Sequence, residues 1–116
     1  MLRCWNHDQG YTTEQAAYGV ACLLIGHFTK YTVIHRSRKG TGFDYWLGDE
    51  ESEDELPLQS KARLEVSGIR RGNDNLVQAR VRQKLKQVKR SDKLALPAYI
   101  VVVEFGTPKV HVRIKQ

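Results

Sequence analysis

Asp44 and Glu65 are the two residues whose type and setting could do chemistry in this 116-residue chain. Asp44 lies within Gly42-Phe43-Asp44-Tyr45-Trp46-Leu47, and Glu65 within Ala62-Arg63-Leu64-Glu65-Val66-Ser67-Gly68-Ile69. Both runs read as strands. Strand side chains alternate between faces, so Gly42, Asp44 and Trp46 should share one face, with Phe43, Tyr45 and Leu47 on the other. Arg63, Glu65 and Ser67 should share a face opposite Leu64 and Val66. Paired strands lie ~4.8 Å apart. In a suitable register the two carboxyl groups would converge on one divalent cation. Mg²⁺ prefers oxygen ligands and is usually held by one or two carboxylates, water and substrate phosphate. Bound there, it would polarise a phosphoryl oxygen and acidify the attacking water. Two carboxylates so placed repel strongly without a cation. Blander readings stand beside this one. Asp44 could be a solvated carboxylate near a turn, and Glu65 could pair with Arg63 or Lys61 on a wet face.

The elements that must position these acids are legible from periodicity. Thr12-Thr13-Glu14-Gln15 has the form of a capping box, and Ala16, Ala17, Val20, Ala21, Leu24 and Phe28 continue at helical spacing to about Lys30. Tyr31–Arg36 reads as a strand, Arg38-Lys39-Gly40-Thr41 as a turn, and Gly42–Leu47 as the return strand of a hairpin. Residues 48–60 form an acidic loop. Ala62–Ile69 is a third strand. A second helix spans Asn75–Lys89, with Val77, Val81, Leu85 and Val88 as its apolar stripe. Tyr99–Phe105 is the most apolar strand and is expected at the centre of the sheet, followed by Val110–Ile114. The order α-β-β-β-α-β-β predicts one α/β domain over residues 1–116, a mixed sheet flanked by two helices, with a right-handed crossover between the third and fourth strands.

With this order, and with Gly42-Phe43-Asp44 on one strand and Glu65-Val66-Ser67 on the next, the chain resembles the PD-(D/E)XK superfamily of restriction-endonuclease-like nucleases from about Thr12 to Phe105. The resemblance implies a metal-dependent endonuclease acting on DNA, in a defence or mobile-element setting. Its cofactor would be Mg²⁺ (or Mn²⁺), held by Asp44, Glu65, the carbonyl of Val66 and, as an accessory ligand, Glu14 on the first helix. Ser67 stands where the family places a catalytic lysine. In some members that lysine comes from the following helix, where Lys84 lies about 60° from the centre of the apolar stripe, with Arg80 further round the same flank. Either Lys84 has taken over the role or catalysis is lost, leaving a nucleic-acid-binding or scaffolding subunit. The bland alternatives are a helix-dipole charge for Glu14, a snorkelling flank residue for Lys84 and a strand-end residue for Ser67.

Charge agrees with a polyanionic partner. The formal net charge is +6, but Asp49, Glu50, Glu51, Glu53, Asp54 and Glu55 hold six of the 13 acids, and without them 19 basic minus 7 acidic residues leave +12. Arg36, Arg38 and Lys39 form a basic hairpin tip, and Arg80, Arg82, Lys86, Lys89 and Arg90 a basic helix that could track phosphates. A dimer or larger complex is the expected setting for target choice. A third reading, a small RNA-binding domain using its sheet face, would require exposed aromatic rings on adjacent strands. Two cysteines make no disulfide framework. There is no CxxC, no HExxH and no P-loop, no apolar run of membrane-spanning length and no signal-peptide pattern. A cytoplasmic protein is expected.

Overall fold

The computed structural model describes residues 9–38, 40–49 and 60–116. Lys39 and residues 50–59, the greater part of the acidic stretch, lie outside the described residues. Helix α1 (Gln9–Phe28) leads into strands β1 (Tyr31–Arg36), β2 (Tyr45–Asp49) and β3 (Ala62–Ile69). Helix α2 (Asp74–Val88) continues into a 3₁₀ helix over Lys89–Leu94, and β4 (Ala98–Glu104) and β5 (Lys109–Lys115) close the order. The strands form one mixed sheet in the order β1-β2-β3-β4-β5, with only β3 and β4 parallel. This is the α/β arrangement read from the sequence. The middle position, however, belongs to β3, the strand that carries Glu65, and not to the more apolar β4.

Each face of the sheet has its own helix. Ala17, Ala21 and Ile25 of α1 pack on Leu47, Ala62, Leu64, Val66, Val101 and Val103. Val77, Val81 and Val88 of α2 pack on Phe43, Ile69, Ala98, Ile100 and Val102. The alternation of β3 and β4 sorts their residues between the two cores. Small residues let α1 sit close: a Cβ at Gly68 would lie 2.7 Å from the Thr13 carbonyl and 3.2 Å from the Ala17 Cβ. Under this cover the sheet's aromatic residues Tyr31, Tyr45, Trp46 and Tyr99 are half-buried, not the fully exposed rings that the RNA-binding reading requires. Among the described residues, the one aromatic in the strongly exposed large apolar set is Phe28, on a helix.

Three local expectations are corrected. Helix α1 begins at Gln9, so Thr12 is an interior residue and does not cap the start. Gly48 and Asp49 complete β2 and do not open the acidic loop. Phe43 shares the α2-side core with Trp46, the two rings 4.6 Å apart, while Tyr45 packs against the α1-side core. Simple alternation therefore fails across Asp44, which lies just before β2 and bonds through its amide to the Leu64 carbonyl at 2.9 Å.

The link between sheet and helix α2 is Arg63, 1 % exposed. Its Nε and Nη2 donate to the Leu96 carbonyl (3.0 and 2.6 Å), and its Nη1 to the Val88 carbonyl (2.9 Å) and the Ser91 hydroxyl (2.8 Å). Nη1 also lies 3.3 Å from Asp92 Oδ1. One guanidinium thus serves the Val88 carbonyl at the exit of α2, which the Ser91 hydroxyl also reaches at 3.1 Å, and the Leu96 carbonyl at the entry to β4.

At the far edge, β5 alternates Val110, Val112 and Ile114, all exposed, with Lys109, His111, Arg113 and Lys115. Lys109 pairs with Asp74 at 3.1 Å, and Lys115 with Asp92.

Replacing Arg63 by leucine should strand these acceptors in a dry environment and cost about 3–5 kcal/mol. Urea unfolding of the variant should show a correspondingly lower midpoint. An unchanged midpoint would make the clamp dispensable.

Candidate active site

Three elements converge on Asp44 and Glu65. The turn before β2 reaches Gly42, whose φ of +94° is left-handed backbone that favours glycine. A Cβ there would stand 2.3 Å from the Gln87 carbonyl and 3.0 Å from the Arg90 Cβ. The hairpin tip is thus pressed against the end of α2, which fixes where Asp44 emerges. Asp44 Oδ2 then accepts the Val66 amide at 2.9 Å, tying its carboxylate to the residue that follows Glu65.

Glu65 is 3 % exposed and points to the α2 side. Its Oε1 lies 3.2 Å from Lys84 Nζ, which also donates to Gln87 Oε1 at 3.3 Å. Burial is the main cause that pushes the Glu65 carboxyl up, from an ordinary 4.5 to about 8. The negative charge of Asp44 and a hydrogen bond between the two carboxyl groups push the same way, and Lys84 pulls down. The Lys84 contact has ion-pair length, yet burial and Asp44 together outweigh it. One lysine is too little positive charge for this pocket, and at neutral pH the site keeps a proton in its place.

The other sequence-derived positions fall into place around this pair. Ser67 is buried on the Glu65 face, and its hydroxyl accepts from Arg80 Nη1 at 2.5 Å. Arg80 also reaches the Gly68 carbonyl at 3.4 Å. Arg80 was expected among the nucleic-acid contacts; it turns inward instead, because its place on the flank of α2 overlooks the sheet. Arg82, Lys86, Lys89 and Arg90 are exposed, as are Arg36 and Arg38. Glu14 Oε1 accepts the Gly68 amide at 3.1 Å. Glu14 and Asp44 line the same cavity, but among the described residues no three His, Cys, Asp or Glu side chains gather closely enough to hold an ion. One oxygen of Glu14, the accessory ligand that the resemblance implies, is thus engaged with backbone, as one oxygen of Asp44 is.

A donor set of two carboxylates still fits Mg²⁺, which takes the rest of its shell from water and substrate phosphate. The charge deficit at Glu65 favours a cation.

Two residues escaped the sequence reading. Arg63 looked like a partner for Glu65 and is instead the α2 clamp. Glu104, 1 % exposed, accepts from the Thr107 hydroxyl (2.5 Å), the Thr107 amide (3.0 Å) and the Gly106 amide. The Thr107 hydroxyl foremost, with these amides, holds its carboxyl below the usual range. The Gly106-Thr107 turn two residues on was the available signal for that role.

The raised Glu65 sets a pH dependence with a definite sign. Its folded-state pKa exceeds its unfolded one, so the folded protein binds more protons between them. The contribution of Glu65 to the stability of the metal-free protein should be fullest below about 4.5 and should be lost as pH rises through about 8. Denaturant unfolding across that range should show the decline, and Glu65→Gln should flatten it. A slope unaltered in Glu65→Gln would place the titration elsewhere.

No protein-family model, curated protein or solved structure matches this chain.

Proposed function

We propose that this chain is a metal-dependent nuclease acting on DNA phosphodiester bonds, built on a restriction-endonuclease-like core. The element order and the mixed sheet with a helix on each face support that core. The observation that carries the reading is Lys84 Nζ, 3.2 Å from Glu65 Oε1 in a site shared with Asp44. A lysine from the following helix thus stands beside the acid pair, where Ser67 replaces the lysine on the strand.

Asp44 and Glu65 would hold Mg²⁺ or Mn²⁺, with the Val66 carbonyl as a further oxygen. When bound, the ion supplies charge that polarises the phosphoryl oxygen and acidifies a water. Lys84 Nζ orients that water and offsets the negative charge that develops at phosphorus. Gln87 steadies Lys84 through their hydrogen bond. Arg36 and Arg38 at the hairpin tip and Arg90 beside it supply positive charge for the flanking phosphates.

A second reading, a silent DNA-binding or scaffolding subunit, is favoured by one observation. Ser67 and Arg80 fill the family's lysine position with a closed hydrogen bond.

Plasmid and oligonucleotide DNA incubated with Mg²⁺, Mn²⁺ or EDTA separates the two. Cleavage should require metal and vanish in Asp44→Asn and Glu65→Ala. Lys84→Ala should lower the rate by about 10²–10³-fold while the circular dichroism spectrum stays unchanged. Salt-sensitive binding without cleavage, indifferent to these substitutions, would leave the silent binder. Full turnover by Lys84→Ala would remove that residue from the mechanism.

A further inference from the structure

Beside the acid pair, on the α1 side of the sheet, lies a cavity of about 790 Å³. Its walls are Glu14, Gln15 and Tyr18 of α1, Val33–Arg36 of β1, and Ser37, Asp44, Tyr45 and Val66. This volume lies within the range of about 300–1,000 Å³ of pockets that take small ligands. Asp44 belongs to both cavity and acid pair, so whatever occupies the cavity lies next to the reacting phosphate.

The lining is ordered by chemistry. Tyr18 and Tyr45 stack on one another, their ring centroids 4.5 Å apart and their planes 31° off parallel. The Arg36 guanidinium sits 5.8 Å from the Tyr45 ring centroid. Val33, Ile34 and Val66 are apolar, and Ser37 and His35 are polar. An aromatic stack that a further ring can extend, a guanidinium over one of its rings and a few hydrogen-bonding groups are what a nucleotide asks for: stacking for the base, positive charge for the phosphate. A base within a duplex cannot enter such a recess until it is unpaired and unstacked.

We propose that this cavity receives an unpaired nucleotide next to the scissile phosphate, so that the substrate is single-stranded DNA or a frayed strand end. The proposal rests on the nuclease reading for the reaction, and names its substrate. The base extends the stack at its Tyr18 end, and a phosphate of the strand faces Arg36.

The test measures binding in EDTA, so that no metal and no turnover are needed. A ten-nucleotide single strand carrying 2-aminopurine at one end is compared with a blunt hairpin of the same sequence, by anisotropy and by 2-aminopurine quenching. The single strand should bind at least about tenfold more tightly and its fluorescence should be quenched. Tyr18→Leu should weaken it roughly tenfold, the scale of one lost base–aromatic stack, and Tyr18→Phe should retain it. Ile34→Trp, which fills the cavity without deleting a packing group, should weaken it as well and guards against a misfolded Tyr18→Leu. Equal or tighter binding of the hairpin, or a single-strand affinity indifferent to both cavity variants, overturns the proposal. Metal-dependent cleavage of duplex without cavity-dependent binding would keep the nuclease and discard the cavity's role. Cavity-dependent binding without cleavage would do the reverse.

Discussion

The guanidinium of Arg63 is the constraint on which the geometry of the site depends. It leaves β3 two residues before Glu65 and, on the same face, takes hold of the end of α2 and the segment leading to β4. A helix laid on a sheet by apolar contacts alone can slide or rotate by a fraction of a turn at modest cost, since hydrophobic burial is non-directional. Directional bonds from a fully buried fork remove that freedom. Lys84 lies one turn before the held end, so the clamp sets its position above Glu65. The hairpin tip rests against the same end of α2 through Gly42. Acid pair and lysine are therefore indexed to a common point.

Two buried glutamates show how surroundings decide what a carboxyl can do. Glu104 is encircled by donors from a tight turn, which favour its charged form, and it works as a staple for that turn. Glu65 faces another acid and one lysine, and its charge is disfavoured. Both have little surface open to water, but Glu65 lies deeper, and burial is the first cause of its shift. Only the second has an electrostatic need that a ligand could meet, which sets a reactive position apart from a structural one.

The sequence made most of the fold legible, because each element has a strong period. The limits of β1 and β3 coincide with those read from composition, and the order of elements is as read. Errors gathered where local rules yield to tertiary contact. Alternation failed at Asp44, where the Gly42 approach to α2 twists the chain before β2 begins. Arg63 and Glu65 are two apart on one strand and looked like natural partners. Their separation depends on which carbonyls α2 leaves open, and no local pattern encodes that. Lys84 was visible as a flank residue because helical angles follow from spacing, whereas the inward turn of Arg80 onto Ser67 was not. The cavity between α1 and β1 is a product of packing and left no trace in the periodicity.

Strand β5 has a consequence of a different kind. A sheet edge with a row of valine and isoleucine on one side is an invitation to add further strands without limit. The opposite side of this edge presents Lys109, His111, Arg113 and Lys115. Two such edges brought together antiparallel about Val112 would set Lys109 against Lys115, and like charges directly opposite one another destabilise a pair, here tempered by Asp74 and Asp92. The lysines at the two ends of this strand thereby disfavour growth of the sheet through its own border.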